Sequence, residues 1–293
     1  MQSFTKQLIF ILAGVAVIAT GVLVVKSAVP SGKLKVNPIG QVCPTGYISV
    51  PGSSTFGTND FCVMQYEAKN VGGIATSQAG TTPWAKITQT AAITACTASG
   101  GHLITNNEWM TIARNAEQVA SNWSGGSVGS GGTYRGNVGN NDTLGYNGSN
   151  PEYGTGRAAK ASLTLSNGQV IWDLSGNVWE WTNNTIACGA AQCTTDEMPY
   201  DATPASEWIE FNTINTYGQL SYDQIRPSNP AWISTQGMGK LYTDYDVASP
   251  SGNTHAFIRG GSWGYMTYAG AFTLFLGNAP ADSSTSIGFR CVR

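Results

Sequence analysis

Six cysteines constrain the fold of this chain more than any other feature of its sequence. They are Cys43, Cys62, Cys96, Cys188, Cys193 and Cys291. No two of them have the Cys-x-x-Cys spacing, which excludes zinc-ribbon and thioredoxin-type sites. In an exported chain, an even number of cysteines predicts a framework of disulfides, whose connectivity the sequence alone leaves open.

Spacing and elimination favour one connectivity. The favoured pairs are Cys188–Cys193, Cys43–Cys62 and Cys96–Cys291. The first pair flanks a turn-like sequence, the second brackets a hairpin-like segment, and the third remains by elimination, joining a predicted helix to the predicted last strand. This third bridge closes nearly the whole domain, and the chain-entropy model assigns a loop of that length about 4 to 5 kcal/mol.

Export is predicted by the N-terminal segment. Residues 8–25 are uncharged and apolar, and Lys6 and Lys26 flank them. At about 1.5 Å per residue, a helix of that length reaches roughly 27 Å, close to the thickness of a bilayer core. We therefore predict that residues 1–29 are a membrane anchor with one transmembrane helix. A cleaved signal peptide and a pilin-like assembly helix are the alternatives, and all three export the chain from residue 30.

The protein is therefore predicted to be membrane-anchored at the cell surface, with the chain from residue 30 in the extracellular space. Residues 30–42 form a linker, and residues 43–293 form one domain. Only 11% of the residues are charged, 41% are hydrophobic, and the net charge is −2. This composition can bury a core and has no basic run, so it excludes wholesale disorder and argues against a nucleic-acid partner.

The domain has the element pattern of an α+β fold. Residues 61–68 have strand composition, and residues 88–99 form a helix that ends at two glycines. A Thr-x-x-Glu capping box at 105–108 opens a second helix that runs through about Val119. Residues 186–256 have few periodic signals and are expected to be a long insertion of loops and short elements.

Three motifs, in order, connect the chain to a known family. They are the helix pair A-x-x-x-C-x-x-x-G-G-H-L-I-T-x-x-E-W at 92–109, WDLSGNVWEW at 172–181, and the C-terminal stretch at 257–293 that contains RGGSW and ends in GFRCVR. Together they resemble the formylglycine-generating-enzyme family. The resemblance implies a C-type lectin-like fold of the formylglycine-generating-enzyme/sulfatase-modifying-factor type. It also implies a helix-to-last-strand disulfide, in agreement with Cys96–Cys291.

The resemblance does not imply catalysis. Oxidase members of this family bind copper through a cysteine pair shortly after RGGS, and here no cysteine lies between Cys193 and Cys291. Iron-dependent members need histidines from an extra domain, which is missing from this sequence. We predict a protein that is not an enzyme and has no cofactor.

The tryptophan-rich motif also raises the question of calcium. It offers the oxygen ligands Asp173, Asn177 and Glu180, so a structural calcium ion is conceivable but unsupported, since calcium takes six to eight oxygens. The favoured interpretation makes Trp172, Trp179 and Trp181 core residues, with Glu180 bound to loop amides. Arg259 and Arg290 are expected to brace loops through carboxylates.

The segment 264–286 alternates a framework with nine other positions. These nine are Gly264, Tyr265, Tyr268, Phe275, Gly277, Asn278, Asp282, Ser284 and Ser286, here called the variable set. Each residue type in the set can be reached from the Asn codons AAC and AAT by changing only adenines. The segment resembles the variable region of diversity-generating retroelement target proteins, in which adenine-directed mutagenesis changes the displayed residues.

This second resemblance implies a ligand-binding protein with a hypervariable surface. Its partner would be a protein or glycan on another cell or virus, whose identity the sequence does not name. The variable set also has the Tyr, Ser, Gly and Asn vocabulary of antibody loops. Alternation along 272–276 puts framework residues inward and the set outward. The alternatives are that the three aromatic members are core residues, and that the protein is a conventional calcium-dependent lectin or adhesin, or an oxidase.

Overall fold

The computed structural model of this chain describes residues 35–36, 42–139, 160–189, 193–194, 196–201, 208–243 and 254–293. The predicted membrane segment at 8–25 lies outside this set. Within it, none of the helices is both long and apolar enough to span a bilayer.

The described residues form an α+β structure, as predicted. The helices are α1 (Gln89–Ala98), α2 (Asn106–Glu117) and the short α3 (Tyr222–Ile225), with 3-10 turns at Ala120–Asn122, Ser234–Gln236 and Met266–Tyr268. The strands are β1 (Lys35–Val36), β2 (Val42–Cys43), β3 (Tyr47–Val50), β4 (Phe61–Met64), β5 (Lys69–Val71), β6 (Ile74–Thr76), β7 (His102–Leu103), β8 (Ser162–Thr164), β9 (Val170–Trp172), β10 (Trp179–Ala187), β11 (Tyr200–Asp201), β12 (Trp208–Ile209), β13 (Ile214–Thr216), β14 (Leu241–Tyr242), β15 (Thr254–Arg259), β16 (Leu274–Asn278), β17 (Ile287–Phe289) and β18 (Cys291–Val292).

Local sequence explains where the two main helices begin. Thr88 accepts a hydrogen bond from the Ala91 amide at 3.2 Å and caps α1. At α2, Thr105 Oγ1 accepts from the Glu108 amide at 3.2 Å while Glu108 accepts from the Thr105 amide at 2.8 Å. This is the predicted capping box.

The two main helices pack against two β-sheets. The larger one has six strands in the order β12-β14-β16-β15-β10-β17, and the smaller one has the order β3-β4-β18-β7. Strand β1 pairs with β2, so part of the segment predicted as a linker is a strand.

All three disulfides predicted from spacing and elimination are formed. Cys43 joins Cys62, Cys96 of α1 joins Cys291 of β18, and Cys188 joins Cys193. The second bridge ties α1 to the smaller sheet across a sequence separation of 195 residues.

One face of the six-stranded sheet carries a continuous row of large apolar side chains. Register places them side by side across six strands, in the order Trp208, Tyr242, Phe275, Ile258, Trp181 and Phe289. Directly paired residues point to the same face of a sheet. The helix α1 packs at the Trp181–Phe289 end of this row, in the same buried cluster. At the other end Trp208, Tyr242 and Phe275 are only half-buried.

The opposite face of the sheet packs against the larger core cluster, to which α2 contributes Trp109 and Ile112. Leu274 and Leu276 of β16 point into this cluster and are fully buried. Strand β16 therefore has its aliphatic side chains on the covered face and Phe275 on the other, as the alternation predicts.

Candidate binding surface

The nine residues of the variable set are all at least partly accessible to solvent. Gly264 and Tyr268 are exposed, and the other seven are half-buried. The framework divides into two groups. Phe272, Leu274, Leu276, Ile287, Phe289 and Cys291 are buried, whereas Met266, Thr267, Ala281, Ser283 and Thr285 are exposed. Trp263, which sequence reasoning assigns to the framework, is an exception because it is half-buried.

The first part of the variable set lies on a turn whose conformation is fixed by contacts of the turn's own backbone. Gly260 and Gly261 both have positive φ, and a Cβ on Gly261 would lie 2.5 Å from the Cβ of Ala269. Only glycine fits there without moving the chain. Arg135 donates a hydrogen bond to the Met266 carbonyl at 2.6 Å and supports the tip of the turn.

The last part of the variable set lies on the loop between β16 and β17. The Lys86 amide donates to the Ser284 carbonyl at 2.9 Å, and the Gln89 amide donates to the Pro280 carbonyl at 3.1 Å. The Trp179 amide donates to the Ser286 carbonyl at 2.7 Å. These contacts are made by backbone atoms of the loop, so they survive a change of side chain at 284 and 286.

The two parts enclose a small cleft, here called the aromatic cleft. Its volume is about 230 Å³, and it is lined by Trp179, Ile258, Tyr265, Phe275, Asn278, Ser284, Ser286 and Ile287. Five of these eight residues belong to the variable set. Tyr265 and Phe275 lie against Trp179, with ring centroids 4.9 Å and 5.6 Å from it. Tyr265 and Phe275, two of the three aromatic residues of the set, therefore pack partly against the fold and also line the cleft.

Trp208 and Tyr242 adjoin the cleft, and neither aromatic residue was identified from the sequence. The Trp208 ring lies 5.6 Å from that of Tyr265, 5.8 Å from that of Phe275 and 5.0 Å from that of Tyr268. Tyr242 stacks on Phe275 with centroids 4.2 Å apart. Both belong to the segment predicted to be an insertion. Their strands have two residues each, too short to show a period, and the only signal is the presence of large aromatic residues.

The polar members of the variable set are bonded to one another. Asn278 donates to Asp282 Oδ2 at 3.0 Å, and the same oxygen accepts from the Ala279 amide at 2.9 Å. The hydroxyls of Ser284 and Ser286 are 3.0 Å apart. The lining of the aromatic cleft itself contains no charged side chain.

A network of buried charges lies in the interior of the fold. Glu180 and Arg290 form a two-point ion pair in which both side chains are fully buried. Glu67 accepts from Asn177 Nδ2 at 2.6 Å and from the Val178 amide at 3.2 Å. The expected role of Glu180 is thus wrong, since it binds Arg290 while Glu67 binds the loop amide. The tryptophans Trp172, Trp179 and Trp181 are buried, as expected.

Arg259 also differs from expectation. It is fully buried and donates to Asn106 Oδ1 at 2.9 Å and to the Phe272 carbonyl at 2.9 Å, with no carboxylate among its partners in the described part of the chain. Burial lowers its pKa to about 9. Arg259 braces the backbone of residue 272 through neutral oxygens, which joins α2 to the segment that carries the variable set.

Replacing Glu67 by Gln is predicted to change how stability depends on pH. Burial raises the pKa of Glu67 from 4.5 to about 7, against the lowering effect of the Lys69 ammonium. A carboxyl whose folded-state pKa is raised stabilises the protein below its unfolded-state pKa and loses that contribution as pH rises. Between pH 4.5 and 7 the wild-type protein should lose stability relative to the Glu67→Gln variant, as measured by urea unfolding midpoints.

Glu197 provides the control for this measurement. It is half-buried, and the Gly189 and Thr194 amides hold its pKa below the ordinary value. The stability difference between the wild type and Glu197→Gln should therefore change only weakly with pH and in the opposite direction. As pH rises, the wild type should gain stability relative to this variant. Parallel pH profiles for the wild type and Glu67→Gln would contradict a raised pKa at Glu67.

Two clusters of described residues offer atoms of the kinds that bind metals. Both carboxylate oxygens of Asp173, together with Asn137 Oδ1 and Ser175 Oγ, are buried without a hydrogen-bond partner among the described residues. These are hard oxygen ligands, but they number fewer than the six to eight that calcium takes. The Lys69 ammonium and the Arg290 guanidinium supply countercharge to Asp173 from within the protein.

The second cluster consists of Cys188, Cys193 and His255. The two sulfur atoms are bonded to each other, whereas metals bind thiolates. His255 is held by a 2.7 Å contact between Nδ1 and the Leu276 carbonyl, with Nε2 3.1 Å from Cys193 Sγ. In the disulfide form this cluster is a packed structural contact.

Comparison with known proteins identifies one family. The family model described as "Sulfatase-modifying factor enzyme 1-like domain" matches residues 42–293. A search of curated proteins found no match.

Similar solved structures include variants of the Major Tropism Determinant and one bacterial protein. The I1 variant is 18% identical with a TM-score of 0.32, covering 89% of this chain and 60% of that chain. The M1 variant is 20% identical with a TM-score of 0.34, covering 90% and 52%. PvdO from Pseudomonas aeruginosa is 14% identical with a TM-score of 0.35, covering 91% and 99%. This chain spans about half to three-fifths of the Major Tropism Determinant chains, and likenesses of this size carry no conclusion about function.

Proposed function

Because this chain belongs to the family of sulfatase-modifying factor enzyme 1-like domains, we propose that it uses the family fold as a scaffold for ligand binding. Its C-terminal segment, residues 264–286, is diversified by a retroelement through adenine-directed mutagenesis, which changes what the protein binds. The C-type lectin-like character of the domain is part of this proposal.

The observation that carries the proposal is that the variable set reaches solvent beside framework residues that are buried in the strands. All nine positions of the set reach solvent, while the residues that alternate with Phe275 and those of β17 and β18 are buried. Solvent-facing substitutions usually change stability by less than about 0.5 kcal/mol, whereas truncation of a buried Phe costs about 3 to 5 kcal/mol. A segment divided in this way can change its surface without losing its fold.

The protein is proposed to be a binding protein without catalytic activity, resident metal or cofactor. Each of the six cysteines is in a disulfide, so none provides the thiolate that a copper oxidase of this family needs. The residues that follow Ser262 are Trp263, Gly264 and Tyr265, which support a surface more readily than a redox site.

The proposed location is the cell surface, with residues 8–25 in the membrane. Three disulfides support an oxidising, extracellular environment for the domain. The partner is then a protein or glycan on another cell or virus.

Sequencing the gene's 3′ end in a natural population tests this proposal. We expect substitutions to be concentrated at the nine codons of the variable set, and a nearby near-copy of the 3′ end to have AAC or AAT at those codons. The codons of 172–181 are the internal control and should be invariant. An even spread of substitutions over both segments would contradict diversification and favour a conventional lectin with a fixed site.

A further inference from the structure

We infer that Cys188, Cys193 and His255 form a zinc site whenever the bond between the two sulfur atoms is open. The bridge and the metal exclude each other, because the same two sulfur atoms serve both. This inference goes beyond the proposed function, which concerns the variable surface of the protein with its bridges closed.

The three side chains converge inside the protein. The two Sγ atoms and a ring nitrogen of His255 all lie within 4.8 Å of one another, and all three residues are buried. Cys188 follows the last residue of β10, and His255 of β15 pairs in register with Ile186 of that strand. Two neighbouring strands therefore fix the positions of the imidazole and of the first sulfur atom.

The hydrogen bond of His255 aims a bare nitrogen at this cluster. Nδ1 lies 2.7 Å from the Leu276 carbonyl oxygen, which can only accept, so Nδ1 carries a proton and donates. In the neutral ring Nε2 is then unprotonated, and it lies 3.1 Å from Cys193 Sγ. A disulfide sulfur has no hydrogen to donate, so this buried nitrogen obtains a proton or a metal to bind only when the bridge is open. Metal-binding histidines usually donate their other ring nitrogen to a carbonyl or carboxylate in the same way.

A second set of contacts keeps the two cysteines together without their covalent bond. Glu197 Oε1 accepts a hydrogen bond from the Gly189 amide, directly after Cys188. Its Oε2 accepts from the Thr194 amide, directly after Cys193, at 2.9 Å. Because one carboxylate joins both sides of the bridge, the two thiols remain neighbours when the sulfur–sulfur bond opens.

The ligand set favours zinc over other common metals. Thiolate sulfur binds Zn²⁺ or Cu⁺, whereas Ca²⁺ and Mg²⁺ take oxygen ligands. Two thiolates cancel the two positive charges of Zn²⁺, so the buried complex is neutral, whereas Cu⁺ would leave a net negative charge in the interior. Two cysteines and one histidine are also a known zinc ligand set, in which water takes the fourth position.

Opening the bridge requires a reductant, here a phosphine or a low-molecular-weight thiol. A phosphine breaks the sulfur–sulfur bond and is oxidised to its oxide, with water supplying the oxygen atom and the two thiol protons. Binding of Zn²⁺ then releases these two protons, because zinc binds thiolates. The same site forms in a new chain before the bridge closes, when both thiols are still present.

Zinc protection against alkylation tests this inference. The full chain is opened with a water-soluble phosphine under native conditions, freed of phosphine, incubated with Zn²⁺ alone or with a chelator, and treated briefly with iodoacetamide. Peptide mapping should show that zinc causes loss of alkylation at Cys188 and Cys193. The cysteines of the other two bridges are the internal control, and any that have opened should react equally with and without zinc.

His255→Gln tests the third ligand. Its amide can still donate to the Leu276 carbonyl, but the imidazole nitrogen is lost, so zinc affinity should fall by more than about 10-fold, the smaller loss expected when only the hydrogen bond behind a metal ligand is removed. Competition with a chromophoric chelator measures this affinity. The matched control is His102→Gln, at the only other histidine of the chain, which should bind zinc like the wild type.

A second variant keeps the test decisive if His255→Gln does not fold, as judged by the melting temperature of its bridged form. Cys188→Ser combined with Cys193→Ser should then lose the zinc site, since thiolate is the ligand that selects zinc.

Three results would overturn the site. They are equal alkylation of Cys188 and Cys193 with and without zinc, unchanged zinc affinity in the folded variants, and a bridge that no phosphine concentration opens in the folded protein. None of them bears on the proposed function, which population sequencing decides separately.

Discussion

Replacing either partner of the buried Glu180–Arg290 pair should destabilise the domain by about 3 to 5 kcal/mol. Glu180→Leu leaves the Arg290 guanidinium in the interior, where its remaining hydrogen-bond partners among the described residues are the backbone carbonyls of Met64 and Trp172. Arg290→Met leaves a buried carboxylate without its cation. Burial raises the pKa of Glu180, and the charge and hydrogen bonds of Arg290 oppose that rise.

The double variant distinguishes a cost of unpaired charge from a loss of packing. Because both charges are removed together, Glu180→Leu with Arg290→Met should cost less than the sum of the two single changes. Urea unfolding of the four proteins measures this. The matched control is Asp223→Ala, which breaks a more exposed ion pair with Arg114 and should cost less than about 1 kcal/mol. A single buried variant as mild as this control would contradict the assigned network.

Local chemistry made much of the fold predictable. The capping box at Thr105 and the alternation along β16 follow from contacts between residues near in sequence. The pairing of Cys96 with Cys291 was also predictable, because two short-range pairs exhausted the other cysteines. In each case the sequence presents few alternatives, and the structure adopts the simplest one.

The candidate site was only half predictable, for a physical reason. Trp208 and Tyr242 lie beside the cleft on two-residue strands, β12 and β14, whose pairing with each other and with β16 is a long-range contact without a local pattern. The partner of Arg259 was mispredicted because its nearest oxygens are the Asn106 side chain and backbone carbonyls, which have no sequence signature. Phe275 was posed as either surface or core. It is both, since its ring stacks on Tyr242 while it lines the cleft.

The structure also shows that the variable set is not uniformly free to vary. A Cβ at Gly277 would lie 2.6 Å from Tyr242 Cε1 and 2.8 Å from Phe275 Cε1, so any side chain there must move two stacked rings. Asp282 closes its loop through the Ala279 amide. By contrast, the backbone bonds at Ser284 and Ser286 do not depend on the side chain. Diversification at 277 would reshape the aromatic cleft as well as its surface.

Stability measurements on single variants should therefore fall into a graded order. Phe289→Ala removes a side chain with no exposed surface that packs on Trp84, and should cost about 3 to 5 kcal/mol. Gly277→Ala should cost about 1 to 3 kcal/mol through overpacking, and Asp282→Ala about 1 kcal/mol through a lost hydrogen bond. Tyr268→Ser removes a ring that is 36% exposed and stacks on Trp208, and should cost about 0.5 to 1.5 kcal/mol.

Trp263→Ala sharpens this test, because the motif alone would group it with Phe289. Its side chain is half-buried, so part of its apolar area already contacts water and the loss should be smaller than at Phe289. Melting temperature and soluble yield of the five variants measure the order. A cost at Tyr268 as large as that at Phe289 would mean that the segment 264–286 is core throughout. A protein built in that way could not exchange its surface residues and keep its fold, which is what retroelement diversification requires.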